Sequence, residues 1–246
     1  MISQHYHLYT PEEQHTWYLL FERQLKAVEQ FAYSNFLTGI QQLNFTSSAI
    51  PDFDDVNVRL RNLTGWNLYA VRGLIDNNYF FEKIFERQFA ATTWIRKPQN
   101  LDYLEEPDMF HDVFGHVPML TDINICDYLH GLSEIAKKYS TNEEVIEAIA
   151  RLYWYTIEFG LVQEGEQLKI YGAGILSSIG ETAYALSIKP ARVPFDVKKI
   201  IETPYIKDSF QKQYFVLKNM QQLKACLPGL EEHFEKKYGK GSTAKN

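Results

Sequence analysis

Two histidines five positions apart, in Glu106-Pro-Asp-Met-Phe-His111-Asp-Val-Phe-Gly-His116-Val-Pro118, and one glutamate in the run Tyr153-Trp-Tyr-Thr-Ile-Glu158-Phe-Gly160 constrain this chain more than any other feature. Two imidazoles and one carboxylate are the ligand set of a mononuclear non-haem iron centre, which leaves open positions for dioxygen and water. A fold that uses them must join two distant segments and bury a carboxylate beside two imidazoles.

Neither segment does this as a regular helix. At about 100° per residue, a five-residue step leaves His111 and His116 about 140° apart, unlike the i, i+4 pair of a zincin. The expectation is a helix that ends near Gly115 and turns His116 back toward His111, with Pro118 holding Val117 extended. Glu158 lies nearly opposite the stripe Val145, Ile149, Leu152, Thr156, on the arc shared by Glu147 and Arg151, which by itself says surface. Yet Leu152 to Leu161 is apolar or aromatic on every other side, so the acid is expected to be buried and to need a cation, a proton or a partner. Singly, each histidine reads as an ordinary hydrogen-bonded residue, and their spacing matches no zinc motif.

The rest of the chain reads as helices joined by loops. Thr10-Pro11-Glu-Glu13 offers an N-cap, a proline at N1 and an acid at N3, and Trp17, Leu20, Phe21, Leu25, Val28 and Phe31 continue the helical spacing. A second helix is expected over 56–63, a short strand over 66–71, a loop at Gly73 and Asp76-Asn77-Asn78, and a further helix over 80–94 closed by Arg96-Lys97-Pro98. Thr141-Asn-Glu-Glu144 reads as a capping box for a helix running to Gly160, Leu168 to Tyr171 as a strand, and Ser177 to Leu186 as a helix. The fold class expected is mainly α with a small β component (α+β), without the strand–helix alternation of a doubly wound sheet.

At 246 residues and 45% hydrophobic content, the chain suits one large domain, expected over 1–235, followed by a polar, disordered tail over 236–246. A net charge of -6 gives no footprint for nucleic acid. No window has the apolar length of a membrane span, and the N-terminus lacks a basic stretch leading into an apolar run, so no membrane association or processing is expected. Cys126 and Cys226 form no metal or redox spacing, which fits a reducing cytoplasm.

The segments Glu106 to Pro118, Tyr153 to Leu161 and Tyr171-Gly-Ala-Gly-Ile-Leu-Ser-Ser-Ile-Gly-Glu181, in this order, resemble the pterin-dependent aromatic amino acid hydroxylases. The similarity runs from about Tyr9, through Ile50-Pro-Asp-Phe53, Leu63-Thr-Gly-Trp66 and Leu101-Asp-Tyr-Leu104, to about Tyr214-Phe-Val-Leu217. It implies a single catalytic domain of the hydroxylase type in which His111, His116 and Glu158 hold Fe(II), a tetrahydropterin supplies two electrons, and O2 gives one atom to the ring and one to the pterin. The implied reaction is L-phenylalanine to L-tyrosine. The resemblance assigns the substrate carboxylate to Arg96, the substrate pocket to Pro107, Trp154, Gly174 and Ser177, and the pterin to Phe80, the loop Ile75 to Asn77, Asp112, Ala150 and Tyr153. Glu181 falls where a ligating imidazole would be oriented. Pterin-recycling enzymes are implied as functional partners, and a monomer is expected because no C-terminal heptad helix is evident.

Arg72-Gly73-Leu-Ile-Asp76 departs from bacterial members, which often carry proline at the first and last of these positions, so a less rigid pterin loop is expected. Four other readings stand beside this one. The same machinery would serve tryptophan or tyrosine. A zinc hydrolase would use the same three ligands with Asp112 as general base. A nucleotide-binding module on Gly172-Ala-Gly174 lacks the second strand ending in an acid that such a motif needs, and a non-enzymatic helical binding protein predicts no stoichiometric metal.

Overall fold

The computed structural model describes residues 2–102, 106–207 and 209–239, so Tyr103 and Leu104 of the Leu101 to Leu104 segment and tail residues 240–246 lie outside the described residues. In chain order, a 3-10 turn, Tyr6–Leu8, is followed by helices α1 (Pro11–Phe31), α2 (Ser34–Gln42) and α3 (Phe53–Leu63), then strand β1 (Asn67–Val71), helix α4 (Asn77–Phe85) and strand β2 (Gln88–Thr92). A π-helical segment, Phe110–His116, and a 3-10 turn, Val117–Thr121, lead into α5 (Ile123–Lys138) and α6 (Glu143–Tyr153). A second π-helical segment, Trp154–Glu158, precedes β3 (Leu161–Glu164), β4 (Gln167–Ile170), α7 (Ala173–Leu176) and α8 (Ile179–Leu186). The described residues close with β5 (Ala191–Pro194), α9 (Val197–Glu202), β6 (Gln213–Leu217), α10 (Gln221–Ala225) and α11 (Leu227–Tyr238), so helix extends three residues past the boundary expected at 235. The fold is α+β, with a parallel pair β1-β2 and a mixed sheet ordered β4-β3-β6-β5.

Helix α1 starts where its cap says it should. The Thr10 hydroxyl accepts from the Glu13 amide at 3.2 Å, and the Glu13 carboxylate accepts from the Thr10 amide at 2.8 Å, so two otherwise orphaned donors are satisfied reciprocally. Its apolar stripe then buries Trp17, Leu20, Phe21 and Val28. Trp17 meets Phe110 edge-on at 5.5 Å and Phe21 meets Phe114 edge-on at 5.3 Å. Such pairs add about 0.5–1.5 kcal/mol each beyond burial, so the first helix clamps the segment that carries both histidines.

Two local expectations are corrected. The helix expected over 80–94 stops at Phe85, because Arg87 takes a left-handed φ of 58° and turns the chain into β2, which pairs parallel with β1 from Asn67↔Gln88 to Val71↔Thr92. Phe81, Phe85 and Phe89 sustain a helical i, i+4 spacing in the sequence even though the last of them faces the core from a strand. Helix α6 is capped by the Asn142 side chain, which accepts from the Val145 amide at 3.2 Å, and not by Thr141. The other expected elements form within a few residues of their anticipated limits.

Candidate metal centre

Both ligand-bearing segments are wound wide. Where an i→i+5 hydrogen-bond step replaces the usual i→i+4 step, residues five apart come onto one face. Phe110–His116 takes this form, which brings His111 and His116 together without the break expected at Gly115. Val117 is helical (φ -64°, ψ -35°) instead of extended, because Pro118 is accommodated in the first turn of the 3-10 segment that follows. Gly115 permits this packing, since a Cβ there would lie 2.9 Å from the Ala173 carbonyl oxygen.

The second wide turn resolves the conflict over Glu158. The Phe159 amide reaches back five residues to the Trp154 carbonyl at 2.9 Å, so the α-helical wheel no longer applies after Tyr153. Glu147 and Arg151 remain at the surface as an ion pair, while Glu158 turns inward with a side chain 13% exposed. Behind it, Gly160 and Gly172 pass in close contact. A Cβ on Gly172 would lie 2.5 Å from the Glu158 carbonyl oxygen.

Three donor side chains converge as a result, Glu158 presenting one oxygen to each imidazole. The Nε2 atoms of His111 and His116 are 3.2 Å apart, His116 Nε2 is 3.1 Å from Glu158 Oε1, and His111 Nε2 is 3.5 Å from Glu158 Oε2. Metal–ligand bonds of about 2.1 Å place neighbouring ligand atoms about 3.0–3.4 Å apart for octahedral to tetrahedral angles, so this spacing suits one cation. The tautomer also suits it. Ser177 Oγ donates to the Ala173 carbonyl at 2.8 Å and therefore accepts from His111 Nδ1 at 2.9 Å, leaving the Nε2 lone pair free for a metal. Burial is the main influence on both His111 and Glu158. It lowers the pKa of His111; for Glu158 it is outweighed by His116 and His111, which hold the carboxyl below its usual value. A His111 imidazole that resists protonation beside a Glu158 carboxyl that readily ionises suits the deprotonated ligands a divalent cation requires.

The triad opens into a cavity of about 210 Å³. All six positions matched to the pterin, Ile75, Asn77, Phe80, Asp112, Ala150 and Tyr153, line it. Phe80 and Tyr153 meet edge-on at 5.1 Å, and Tyr153 lies parallel to His116 at 6.5 Å. Asp112 is tied to β2 by the Thr92 amide at 2.8 Å, and burial raises its pKa.

Of the positions matched to the substrate, Pro107 and Trp154 line the cavity, whereas Arg96, Gly174 and Ser177 are not on its wall. Ser177 stands behind His111, and Gly174 packs against Phe159, where a Cβ would lie 2.9 Å from the ring. Arg96 is 9% exposed, and its Nε and Nη2 both donate to Asp108 at 2.8 Å. Asp108 also accepts from the backbone amides of Arg96 and His111, so it ties the guanidinium to the start of the first π segment. The sequence signal for Asp108 is only its place one residue after Pro107, in the same motif as the histidines. Tyr205 and Lys207 on the cavity wall were also missed, coming from a stretch with no motif of its own. Glu181 is placed differently from expectation, because its Oε1 accepts from the Tyr214 hydroxyl and the Gln211 amide instead of from an imidazole.

Two histidines and one carboxylate on two wide turns, facing an aromatic-walled cavity, define a mononuclear metal centre of the non-haem iron oxygenase class. The family model described as biopterin-dependent aromatic amino acid hydroxylase matches residues 5–241, and the chain belongs to that family. It is 43% identical to a phenylalanine-4-hydroxylase of Ralstonia nicotianae, across 90% of this chain and 71% of that one. It is 44% identical to the corresponding protein of Chromobacterium violaceum, across 87% and 72% respectively. A crystal structure of Chromobacterium violaceum phenylalanine hydroxylase with bound iron(III) and oxidised cofactor 7,8-dihydrobiopterin superposes with a TM-score of 0.90 at 41% identity, covering 96% of this chain and 86% of that one.

Proposed function

We propose that this chain is an Fe(II)- and tetrahydropterin-dependent monooxygenase that hydroxylates L-phenylalanine to L-tyrosine with O2. The observation that carries this reading is the opening of the His111, His116 and Glu158 triad directly into the cavity walled by Phe80, Tyr153 and Trp154. Bound iron and pterin would supply the reductive activation of dioxygen, which no side chain can perform.

The protein's part is to hold, orient and keep dry. His111, His116 and Glu158 would bind the iron, with Ser177 fixing the His111 tautomer. The ring of Phe80 and the backbone at Ile75 and Asn77 would take the pterin, with Asp112, Ala150 and Tyr153 opposite. Trp154 and Tyr205, stacked at 4.7 Å, together with Pro107, would hold the substrate ring. Arg96 would offer the substrate carboxylate its remaining Nη1, since Asp108 occupies Nε and Nη2. Aromatic walls exclude water from the reacting face, which favours hydroxylation over wasteful reduction of oxygen.

Among the described residues no helix is long and apolar enough to cross a membrane. Both cysteines are unpaired, Cys126 in the core, and we place the enzyme in the cytoplasm as a monomer. The deciding experiment is aerobic turnover by the iron-reconstituted protein with tetrahydropterin, offering phenylalanine, tryptophan and tyrosine in parallel. Tyrosine formed from phenylalanine only when both iron and pterin are present is the expected result. Exclusive turnover of another ring would change the substrate, and absence of any product would refute the reading.

A further inference from the structure

The substrate side of the cavity hangs on one buried amide. Gln211 is 2% exposed; its Oε1 accepts from Trp154 Nε1 at 3.2 Å, and its Nε2 donates to the Ile206 carbonyl at 2.6 Å. An indole N–H can only donate and a carbonyl can only accept, so these partners dictate which way the amide faces. Trp154 lines the cavity, and so do Tyr205 and Lys207, the residues on either side of Ile206. One side chain thus grips the wall from both ends, the indole of the second π segment and the strand of chain that carries its stacking partner.

The grip is itself anchored. The Gln211 backbone amide donates to Glu181 at 3.3 Å, and Glu181 also accepts from the hydroxyl of fully buried Tyr214 on β6. Freeing either end of the Gln211 side chain would strand a buried donor or acceptor, so Trp154 and the 205–207 segment cannot shift independently at low cost.

We propose that Gln211 is a positioning residue that sets the separation and tilt of Trp154 and Tyr205, and through them the width of the slot that selects the substrate ring. Gln211 is not on the cavity wall and acts through Trp154 and the 205–207 segment. The proposal rests on the hydroxylase reading above and deepens it by naming what fixes ring selectivity.

The test compares the iron-loaded, unsubstituted enzyme with Gln211→Met, which keeps the length and loses both hydrogen bonds. The second variant is Gln211→Glu, which keeps the acceptor for Trp154 and loses the donor to Ile206. Since a misplacement of about 1 Å can cost about 100-fold, Gln211→Met is expected to lower kcat/KM for phenylalanine about tenfold, mainly through KM, and to shift the phenylalanine-to-tryptophan preference at least fivefold. The KM for tetrahydropterin and the iron content should stay within about twofold, which general loosening of the fold would not allow. Gln211→Glu should fall between, and combining Gln211→Met with Trp154→Phe should cost less than the two separate losses together. An unchanged ring preference in both variants overturns the proposal. So does an equal loss of iron, pterin affinity and phenylalanine turnover. Failure of the unsubstituted enzyme to hydroxylate any ring would instead overturn the underlying hydroxylase reading. If Gln211→Met does not fold, Gln211→Glu and its ring preference decide alone.

Discussion

Ser177 Oγ lies 2.9 Å from His111 Nδ1 while giving its own proton to the Ala173 carbonyl 2.8 Å away. A hydroxyl committed in this way can only accept from the imidazole, so it selects the tautomer in which Nε2 is unprotonated. Losing a partner of this kind typically costs about 10–100-fold in metal affinity, and Ser177→Ala should show a loss in that range. Competition with a chromogenic chelator would measure it, and an unchanged dissociation constant would remove Ser177 from the site.

Removal of a donor from the triad should be more drastic. Glu158→Ala and His116→Ala are each expected to leave a folded protein with little iron and no detectable hydroxylation. Metal analysis alongside circular dichroism checks this, and full iron occupancy in either variant would refute the assignment of the ligands.

Arg96 and Asp108 form a buried bidentate pair, so the two halves have different consequences when removed. Asp108→Ala leaves a guanidinium buried without its counter-ion and should destabilise the protein by about 3–5 kcal/mol, read from urea unfolding. Arg96→Ala leaves the fully buried Asp108 carboxylate with only its two backbone amide donors and should also destabilise the protein, while in the folded fraction it should chiefly raise the KM for the amino acid, with the pterin KM nearly unchanged. Identical kinetics in Arg96→Ala would mean that the pair only holds the fold.

Glu181 supplies a pH dependence with a definite sign. Burial raises its pKa above the ordinary value of 4.5, against the opposing bonds from Tyr214 and Gln211. Between 4.5 and the raised value the folded protein therefore binds more protons than the unfolded chain, and stability from this group falls as pH rises through that window, then levels off. Glu181→Gln should flatten this part of the stability profile. Melting temperatures measured stepwise from pH about 4.5 to 7 provide the comparison, and parallel profiles would contradict it.

Gly172 passes so close to Glu158 and Gly160 that any side chain must displace backbone. Gly172→Ala should cost about 1–3 kcal/mol of stability, with iron affinity falling as well because the displaced atom belongs to a ligand residue. A stable variant with normal iron binding would show that the two segments separate freely.

The sequence announced parts of this architecture and hid others for physical reasons. Thr10 with Glu13 was legible because a cap is a local interaction between side chains and amides a few residues apart. That the six residues matched to the pterin share one cavity was legible through family resemblance, where Phe80 alone would have passed for helix packing. The two wide turns were not legible, since a single extra residue in a hydrogen-bond ring leaves no periodic trace, and both the His111 to His116 spacing and the Glu158 wheel position looked wrong for a helix. Strand β2 was hidden by aromatic residues that happened to continue the spacing of α4, and only the left-handed Arg87 interrupts it. Asp108 and Gln211 act through long-range pairing with Arg96 and Trp154, which no local pattern records.

The two wide turns also make the centre unusually sensitive to chain length. Each carries one residue more than the regular helix that would otherwise fill its place, and each presents a ligand only because of that surplus. Removing one residue from either stretch would let the backbone relax into its commoner winding, keep most of the aromatic packing, and rotate a metal-binding side chain away from its companions. For a protein of this design, an in-frame loss of a single codon is a more selective eraser of chemistry than most substitutions, because it restores good helical geometry while dismantling the centre.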